Sequence, residues 1–316
     1  MVTLHSGMRA GAASTSADGI RRQELDGRRR SDAAAAFGFL APDGIGLLLF
    51  IIIPTAMALV VGLFSVDGFG NVEWAGLDNF RLMAGDGLLW RSFGITAAYA
   101  ALFVPLAFFA SLGLALLVKD HFRGVGAVRA ALFLPNAVSL VVIGLLWQFL
   151  LTDKTGALAK LTGLDGVSWL GDPSLALVTL VLISVWFLMG YQMLIFLGGL
   201  QDIPREYYDA ATVDGGGPWQ RFRHVTWPML RPTSFFVLVT STINAITGMQ
   251  VFDLVFVTTS GGPANATTTV VFYAYQQAFQ FGRFGYAAAI CALLVVALGA
   301  ITAAMFALTR GGRFDD

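Results

Sequence analysis

The sequence predicts an all-α, polytopic membrane protein with six transmembrane helices, and composition, apolar stretches and charge distribution support this. Hydrophobic residues make up 56% of the 316 residues and charged residues 13%, whereas a soluble domain carries about 25% charged residues. The mean hydropathy is +0.71. Because a soluble core needs only one apolar face per element, we expect lipid to cover the remaining apolar surface.

Six stretches are long and apolar enough to cross a bilayer, which takes about 20 residues. Proline occurs inside or near the start of three of them, at Pro54, Pro105 and Pro135. Membrane helices tolerate proline because neighbouring helices satisfy the freed carbonyl groups. The predicted spans are Leu40–Phe64, Phe93–Val118, Ala131–Leu151, Ser174–Gly199, Pro232–Val257 and Gly285–Thr309.

The distribution of lysine and arginine predicts the orientation of these spans. If the N-terminal segment is cytoplasmic, 15 of the 20 Lys and Arg residues fall in cytoplasmic segments. The other five are Arg81, Arg91, Lys154, Lys160 and Arg283. Cytoplasmic loops are enriched in basic residues, so we expect both termini in the cytoplasm.

The domain organisation follows from the same pattern. Residues 1–36 are polar and rich in Ala, Gly and Ser, and we expect a disordered cytoplasmic tail rather than a signal peptide. Residues 37–310 form the six-helix domain, and residues 311–316 form a C-terminal cytoplasmic tail. The single cysteine, Cys291, excludes a disulfide within the chain, and the three scattered histidines indicate no metal site.

The loop at residues 200–231, between the fourth and fifth spans, is too polar to cross the membrane. Pro204 suits the first turn of a helix, and Glu206 and Asp209 lie near that helix's positive end. Three glycines from Gly215 end the helix, and Pro218 can start a second one. Two short helices are therefore predicted. The pattern fits a helix that rests on lipid headgroups as well as one that binds a protein.

The loop resembles the cytoplasmic signature of permease subunits in binding-protein-dependent ABC importers. That signature is Glu-Ala-Ala, three residues, Gly, nine residues, an aliphatic residue, any residue, Leu and Pro. Here Asp209–Ala211, Gly215 and Val225–Pro228 occur at the same spacing. Asp209 replaces the glutamate and keeps its charge on a shorter side chain, and Trp227 replaces the leucine.

Other segments resemble the carbohydrate-type members of that family, of the maltose and glycerol-3-phosphate kind. The similarity extends over roughly residues 40–309, and its segments occur in the family's order. They are Gly76–Phe80, Leu134–Asn136 leading to Trp147, Thr258–Pro263 with Thr267–Thr269, and Phe284–Ala289.

The resemblance implies a subunit of a larger importer in the bacterial inner membrane. The implied partners are a second, homologous permease, two copies of a cytoplasmic ABC ATPase and an extracytoplasmic solute-binding protein, with no nucleic acid. The chain lacks a Gly-x-x-x-x-Gly-Lys-Ser/Thr loop, so we expect no catalysis and no cofactor here, with ATP bound by the partner subunits. The expected ATPase-coupling residues are Glu206, Asp209, Ala210, Ala211, Asp214, Gly215 and Pro228.

A solute path should be lined by polar groups that lipid would not accept. On the predicted fifth span, polar residues recur every third position from Ser241, and each step falls about 60° short of a full turn. Only about three of them can therefore share a face. Aromatic and polar residues on the fourth span, including Trp186 and Gln192, add candidates. The alternative for each is helix packing, because polar side chains join membrane helices. The expected path residues are Ser184, Tyr191, Asn244, Thr247, Gln250 and Asp253.

Two rival functions are weighed against the permease. A secondary carrier usually places ionisable groups at the membrane midplane, whereas Asp43 and Asp253 lie toward the ends of their spans. A membrane-embedded enzyme would need a His, Asp or Glu cluster at one membrane face. The solute stays open among sugars, oligosaccharides, polyols and glycerophosphate-type compounds.

Overall fold

The computed structural model describes residues 38–120, 122–152 and 167–309. The two predicted tails, at residues 1–36 and 311–316, lie outside the described residues, as do Lys154 and Lys160. The chain divides into two compact units, Met1–Val60 and Val61–Asp316.

The first helix, α1 (Gly38–Val61), has 24 residues and contains an 18-residue window with a mean hydropathy of 2.6. It contains a π-helical turn at Leu48–Ile52. Pro54 lies two residues after the end of this turn, and a proline inside a helix removes one backbone donor and crowds the preceding turn.

A small β-hairpin, which the sequence did not predict, follows α1. Strand β1 (Phe64–Val66) pairs antiparallel with β2 (Val72–Trp74). Asp67 organises the turn, because its carboxylate accepts hydrogen bonds from the backbone of Phe69 at 3.0 Å and from Asn71. A short helix, α2 (Asp78–Gly85), comes next. Phe64 therefore belongs to a strand and not to the end of the first span.

Two long helices, which form the second and the fourth predicted spans, lie at the centre of the second unit. Helix α3 (Gly87–Val118) begins six residues before the predicted start of the second span, and Asp86 caps it by accepting from Leu88 and Leu89 backbone N–H groups. The third of the predicted spans is formed by α4 (Val125–Phe133), a 3₁₀ turn at Leu134–Ala137 and α5 (Leu140–Leu150).

The prediction of a continuous third span was wrong. The α4 segment and α5 meet at an angle of 94°. Pro135 has no N–H group to continue a helical ladder, and Val138 adopts an extended conformation (φ −101°, ψ 148°) that ends the 3₁₀ turn. A hydropathy window averages over such a bend and does not detect it.

Helix α6 (Ala176–Gln201) forms the fourth predicted span. It packs against α3 along most of its length, around a buried core that includes Phe103, Leu180 and Phe196. Helix α4 also approaches α6 closely, because a Cβ at Gly190 would overlap the Leu132 carbonyl. Two short helices follow, α7 (Arg205–Val213) and α8 (Pro218–Arg221).

The fifth predicted span is broken as well. Helix α9 (Arg231–Thr247) and helix α10 (Met249–Thr258) are separated by Gly248, whose φ is +68°. This left-handed conformation is cheap for glycine and strained for other residues. A Cβ at Gly248 would also contact Val271 at 3.0 Å. The assumption that the polar residues from Ser241 onward follow one regular helix is therefore corrected: Asn244 and Thr247 precede the break, and Gln250 and Asp253 follow it.

The last part of the chain contains α11 (Val270–Tyr275), a π-helical turn at Gln276–Gln280 and α12 (Phe284–Leu308). Within the described ranges, five helical spans are long and apolar enough to cross a membrane when α9 and α10 are taken as one, and the bent α4–α5 pair makes a sixth. The helical membrane architecture that the sequence predicts is therefore present, with two of the six predicted spans interrupted.

Four hydrogen bonds to the Asp86 carboxylate, together called the Asp86 knot, join the starts of α3 and α12 to α11. Asp86 Oδ2 accepts hydrogen bonds of 2.6 Å from the hydroxyl groups of Tyr273 and Tyr286, while Oδ1 accepts from Leu88 N and Leu89 N. Desolvation favours the neutral acid, but these four hydrogen bonds outweigh it and hold the pKa of Asp86 below its ordinary value.

This depressed pKa predicts a loss of stability in acid. A carboxyl group whose folded pKa lies below its unfolded value stabilises the fold above the unfolded value, about 3.9, and loses that contribution as pH falls through the folded value. We expect Asp86→Asn to lower the free energy of unfolding by about 1–2 kcal/mol at neutral pH. Thermal unfolding of the purified transporter from pH 7 to pH 3 measures this. Equal losses below pH 4 in the wild type and in Asp86→Asn would show that Asp86 is not responsible.

Candidate functional site: coupling segment and solute path

The residues from α7 to the turn at Trp227–Met229, residues 205–229, are called the coupling segment. The segment lies at the Val118 end of α3, since Val225 and Ile203 share a buried apolar cluster with Val118 and Leu200. The Asp86 end of α3 lies 32 residues away along the helix. The coupling segment therefore lies at one end of the bundle and the Asp86 knot at the other.

The ends of α7 follow the sequence closely. Pro204 is the N-cap residue in an extended conformation (φ −60°, ψ 137°), and Glu206 lies in the first turn. At the other end Gly215 has φ +78°. Its N–H group donates to Thr212 O at 3.0 Å, and Gly216 N donates to Ala211 O at 2.8 Å. These bonds satisfy helix-terminal carbonyls and reverse the chain direction.

Helix α7 presents one face outward and holds the other against the bundle. Asp209, Ala210 and Asp214 are exposed, as are Glu206 and Tyr207. Val213 is 88% exposed, which is unusual for a valine in a helix. The outward face therefore combines carboxylates with uncovered apolar surface, a combination typical of interaction sites.

The inward face of α7 is anchored by Tyr208, which the sequence argument did not single out. Its hydroxyl shares a hydrogen bond of 3.0 Å with Thr226 Oγ1. Ala211 is half-buried and packs beside Tyr208 against the buried cluster. Ala210 is thus open to a partner, whereas Ala211 fits α7 to its own bundle.

A series of aromatic contacts connects the exposed coupling segment to the buried helices. Trp219 stacks on Phe222 at a centroid distance of 5.6 Å, and Phe222 lies 6.3 Å from Trp227. Trp227 then contacts Phe108 of α3 edge-on at 6.4 Å. These aromatic pairs form a continuous series of contacts from the segment to α3. The tryptophan that departs from the family signature is part of this path, and Pro228 follows it.

The polar candidates on α6 differ sharply in their surroundings. Ser184 is buried, and its hydroxyl donates to Leu180 O at 2.8 Å. Gln192 is 3% exposed and bridges two helices: Ser111 Oγ of α3 donates to its Oε1 at 3.0 Å, and its Nε2 donates to Ser241 Oγ of α9 at 2.8 Å. Both side chains are satisfied internally, as expected of groups that pack helices. Tyr191 is 45% exposed.

The candidates on α9 and α10 are less enclosed. Asn244, Thr247, Gln250 and Asp253 are all half-buried. Thr247 Oγ1 donates to Ile243 O at 2.8 Å. Among the described residues, the side chains of Asn244, Gln250 and Asp253 form no hydrogen bond, so their polar groups are available to water or a solute.

Helix α5 adds a candidate that the sequence argument mentioned only for its resemblance. Trp147 lies edge-on to Trp186 at 5.5 Å, and its Nε1 is buried without a hydrogen-bond partner among the described residues. The indole N–H can only donate, and a buried donor without an acceptor is costly. Because α5 packs against α10, this donor lies on an element that contacts the helix carrying Gln250.

Within residues 38–120, 122–152 and 167–309, no group of three or more His, Cys, Asp or Glu side chains is placed to hold a metal ion. The candidate residues of the solute path carry hydroxyl, amide, carboxylate and aromatic groups. These groups bind polar solutes through hydrogen bonds and stacking.

Comparison with known proteins identifies the family. The model of the family described as "Binding-protein-dependent transport system inner membrane component" matches residues 110–310. This chain belongs to that family. The probable ABC transporter permease protein YesP of Bacillus subtilis is 36% identical over 88% of this chain and 91% of its own length. The permease protein SmoG of the sulfoquinovosyl glycerol transport system of Agrobacterium fabrum is 32% identical over 88% and 91%.

A third relative and a solved structure agree with this assignment. The trehalose/maltose permease protein MalF of Thermococcus litoralis is 30% identical over 79% of this chain and 85% of its own length. A crystal structure of a bacterial ABC transporter involved in import of the acidic polysaccharide alginate contains a chain with a TM-score of 0.76. The two chains are 22% identical, and the match covers 92% of this chain and 98% of the other. The chain is therefore a multi-pass membrane component of an ABC importer with the fold of that chain.

Proposed function

We propose that this chain is one of two permease subunits that together form the path for a sugar or sugar derivative through the bacterial inner membrane. Two of the relatives described above belong, by their names, to transport systems for sulfoquinovosyl glycerol and for trehalose and maltose. Other relatives at about a third identity belong to sn-glycerol-3-phosphate systems. The shared chemistry is a hydroxyl-rich solute, which is the class we assign here.

The proposed assembly contains a second, homologous permease, two copies of a cytoplasmic ABC ATPase and an extracytoplasmic solute-binding protein. Both termini and the coupling segment face the cytoplasm, in keeping with the basic residues of those segments. ATP is bound and hydrolysed by the partner ATPases, and this chain needs no cofactor of its own.

The observation that carries the coupling role is the exposed face of α7 and α8 at the end of the bundle. Glu206, Asp209 and Val213 point away from the core, and Trp219 is 67% exposed. The inner face is fixed by the Tyr208–Thr226 hydrogen bond and by the Trp227–Phe108 contact. The outer face of the segment is exposed to a partner, and its inner face contacts the bundle. Movement of a docked ATPase would therefore be transmitted through the segment to α3.

The solute path is proposed along the half-buried side chains of α9, α10 and α6. Asn244, Gln250 and Tyr191 offer amide and hydroxyl groups that can form hydrogen bonds with a sugar. Apart from Asp253 this set is neutral, which favours a neutral solute over an anionic one. Ser184 is assigned to helix packing rather than to the path, because its hydroxyl is buried and bonded to Leu180 O.

Gln250→Leu tests the path. We expect the substitution to reduce uptake or change solute preference by about tenfold, since one lost polar contact in a solute site is worth about 1.4 kcal/mol. The thermal unfolding midpoint should stay within about 2 °C of the wild type, because no protein partner is lost. Uptake by the assembled transporter in proteoliposomes, across a set of sugars, measures the effect.

The matched control is Gln280→Leu, which makes the same exchange at an exposed position outside the proposed path. We expect it to leave uptake unchanged. Identical kinetics for Gln250→Leu and wild type with every transported solute would assign Gln250 to packing. A thermal-shift screen of the cognate binding protein identifies the solutes to use.

A further inference from the structure

A polar cavity of about 440 Å³ lies outside both the coupling segment and the proposed solute path. It is enclosed by β1 and the following turn, by α2, and by the start of α12. The groups that matter for a ligand are Ser65, Asp67, Asn79, Leu82, Asp86 and Arg283. Two carboxylates, one guanidinium, a hydroxyl and an amide thus share one cavity.

The position of the cavity places it at the membrane surface. Asp86 immediately precedes α3 and Arg283 immediately precedes α12, and both helices are candidate spans of 32 and 25 residues. The 2.6 Å hydrogen bond from Tyr286 to Asp86 brings the two helix starts to the same level. Trp90, which is exposed near the start of α3, is of a residue type enriched in the headgroup region.

Both carboxylates are held in place by backbone and side-chain donors rather than by cations. Asp86 accepts from two backbone N–H groups and two tyrosines, and Asp67 accepts from Phe69 N and from both nitrogens of Asn71. In the described part of the chain, neither carboxylate forms an ion pair, and neither does Arg283. The cavity therefore contains fixed negative charge and an open positive group at the same time.

The donors and acceptors that remain free in the cavity lining restrict the chemistry of a ligand further. Both amide hydrogens of Asn79 are used on Gly62 O and Phe64 O at 2.9 Å, so Asn79 has only its Oδ1 acceptor left for a ligand. Acceptors and carboxylates on one side suit a cation with N–H donors, while Arg283 suits a phosphate. Leu82, which is 64% exposed, adds apolar contact at the edge.

We propose that this cavity binds the phosphoethanolamine headgroup of a membrane lipid. The phosphate lies against the Arg283 guanidinium, and the ammonium faces Asp67 and Asn79 Oδ1. The four acceptor sites of Asp86 are already occupied, so Asp86 contributes its negative charge only. A choline headgroup has no N–H donor for these acceptors, and an anionic glycerol headgroup would face two carboxylates without a cation of its own. Zwitterionic lipid with a primary ammonium is thus preferred over both.

The test is lipid retention by the assembled transporter, read by native mass spectrometry after transfer from nanodiscs of phosphatidylethanolamine, phosphatidylcholine or phosphatidylglycerol. We expect wild type to retain phosphatidylethanolamine about fivefold more than either other lipid, the effect of about one net hydrogen bond from the ammonium group. Arg283→Gln should lower the retention of all three lipids, because each carries a phosphate, and Arg283→Lys should restore part of that retention. Asp67→Asn should remove the preference for phosphatidylethanolamine over phosphatidylcholine, because Asp67 faces the ammonium.

Arg81→Gln is the matched control, because Arg81 is an exposed arginine on neighbouring α2 that pairs with Asp78 at 3.0 Å and does not line the cavity. It should retain lipid as wild type does. Equal retention of the three lipids, or equal retention by Arg283→Gln and Arg81→Gln, would overturn the proposal. Thermal unfolding of both variants confirms that the comparison is made on folded protein.

Two further experiments distinguish a lipid headgroup from a soluble ligand and from a protein contact. Soluble phosphoethanolamine should displace retained phosphatidylethanolamine, while phosphocholine and inorganic phosphate should not. Binding of soluble phosphoethanolamine without any preference for the lipid would assign the cavity to a small soluble ligand. Protection of Arg283 from arginine-specific labelling by the extracytoplasmic binding protein, in the absence of phosphatidylethanolamine, would assign it to a protein contact. Either result would contradict the proposed lipid site.

Discussion

Replacing Gly215 by proline is expected to uncouple ATP hydrolysis from uptake while leaving the protein in the membrane. Gly215 has φ +78°, which proline cannot adopt because its ring fixes φ near −65°. The substitution also removes the N–H group that donates to Thr212 O at 3.0 Å. The end of α7 must then rearrange, and the outward face around Asp209 changes its position relative to α8.

Asp209→Lys tests the same surface without altering the backbone. Asp209 is exposed, so the substitution is compatible with the fold. A charge of the wrong sign at an interface costs more than about 1.4 kcal/mol, which is about tenfold in association. We therefore expect uptake to fall at least about tenfold in either variant, with ATPase activity no longer stimulated by the solute-loaded binding protein.

The measurement is ATPase activity and solute uptake by the same proteoliposomes, with membrane insertion checked by immunoblot. Asp202→Lys is the matched control, since Asp202 is an exposed aspartate in the same loop that precedes α7. It should keep uptake and stimulation near wild type. Normal uptake in either Gly215→Pro or Asp209→Lys would refute the coupling role of α7, and equal defects in all three variants would show a general effect of altering the loop.

Local signals explain why the coupling segment was predictable from the sequence. Pro204 and Gly215 mark the two ends of α7 because each residue type has a strong conformational preference of its own. The structure has α7 between these two positions and α8 beginning at Pro218. The spans were predictable for a similar reason, because about 20 consecutive apolar residues have few alternatives to a membrane helix. The docking role of the segment stays a prediction.

Contacts between distant parts of the chain were not predictable. The Asp86 knot joins residues that are 187 and 200 positions apart, and the Trp227–Phe108 contact joins the loop to a helix two spans earlier. The helix breaks at Gly248 and after Pro135 were not predicted, because hydropathy averages composition over a window of residues and contains no information on the direction of the helix axis. Similarly, Ser184 and Gln250 have the same polar pattern in the sequence, and only burial and hydrogen bonds distinguish them.

The buried Gln192 leads to the second large expected effect, which concerns stability. Gln192 joins Ser111 of α3 and Ser241 of α9, and both serines are fully buried. Leucine keeps the volume but removes both bonds, leaving Ser241 without its donor. Interhelical hydrogen bonds in membrane proteins average about 0.6 kcal/mol and reach about 1.7 kcal/mol. For two bonds we expect Gln192→Leu to lower the free energy of unfolding by about 1–3 kcal/mol.

A charged replacement at the same position should have a larger effect. Gln192→Glu retains the acceptor toward Ser111. It also places a buried carboxylate in a membrane-spanning helix, which costs about 2.5–3.5 kcal/mol near the helix centre unless the carboxylate is protonated. We therefore expect Gln192→Glu to be less stable than Gln192→Leu at neutral pH and to recover as the pH is lowered. Unfolding of the assembled transporter, followed by intrinsic fluorescence in detergent at pH 5 and pH 8, measures the difference.

A double-mutant cycle with Ser241→Ala shows whether the hydrogen bond itself is responsible. If it is, the coupling energy between Gln192→Leu and Ser241→Ala should be about 0.6 kcal/mol or more, since the two side chains share the 2.8 Å bond. Gln201→Leu makes the same exchange at the exposed end of α6 and should be neutral. Additive losses in the cycle would mean that Gln192 stabilises the bundle by packing alone.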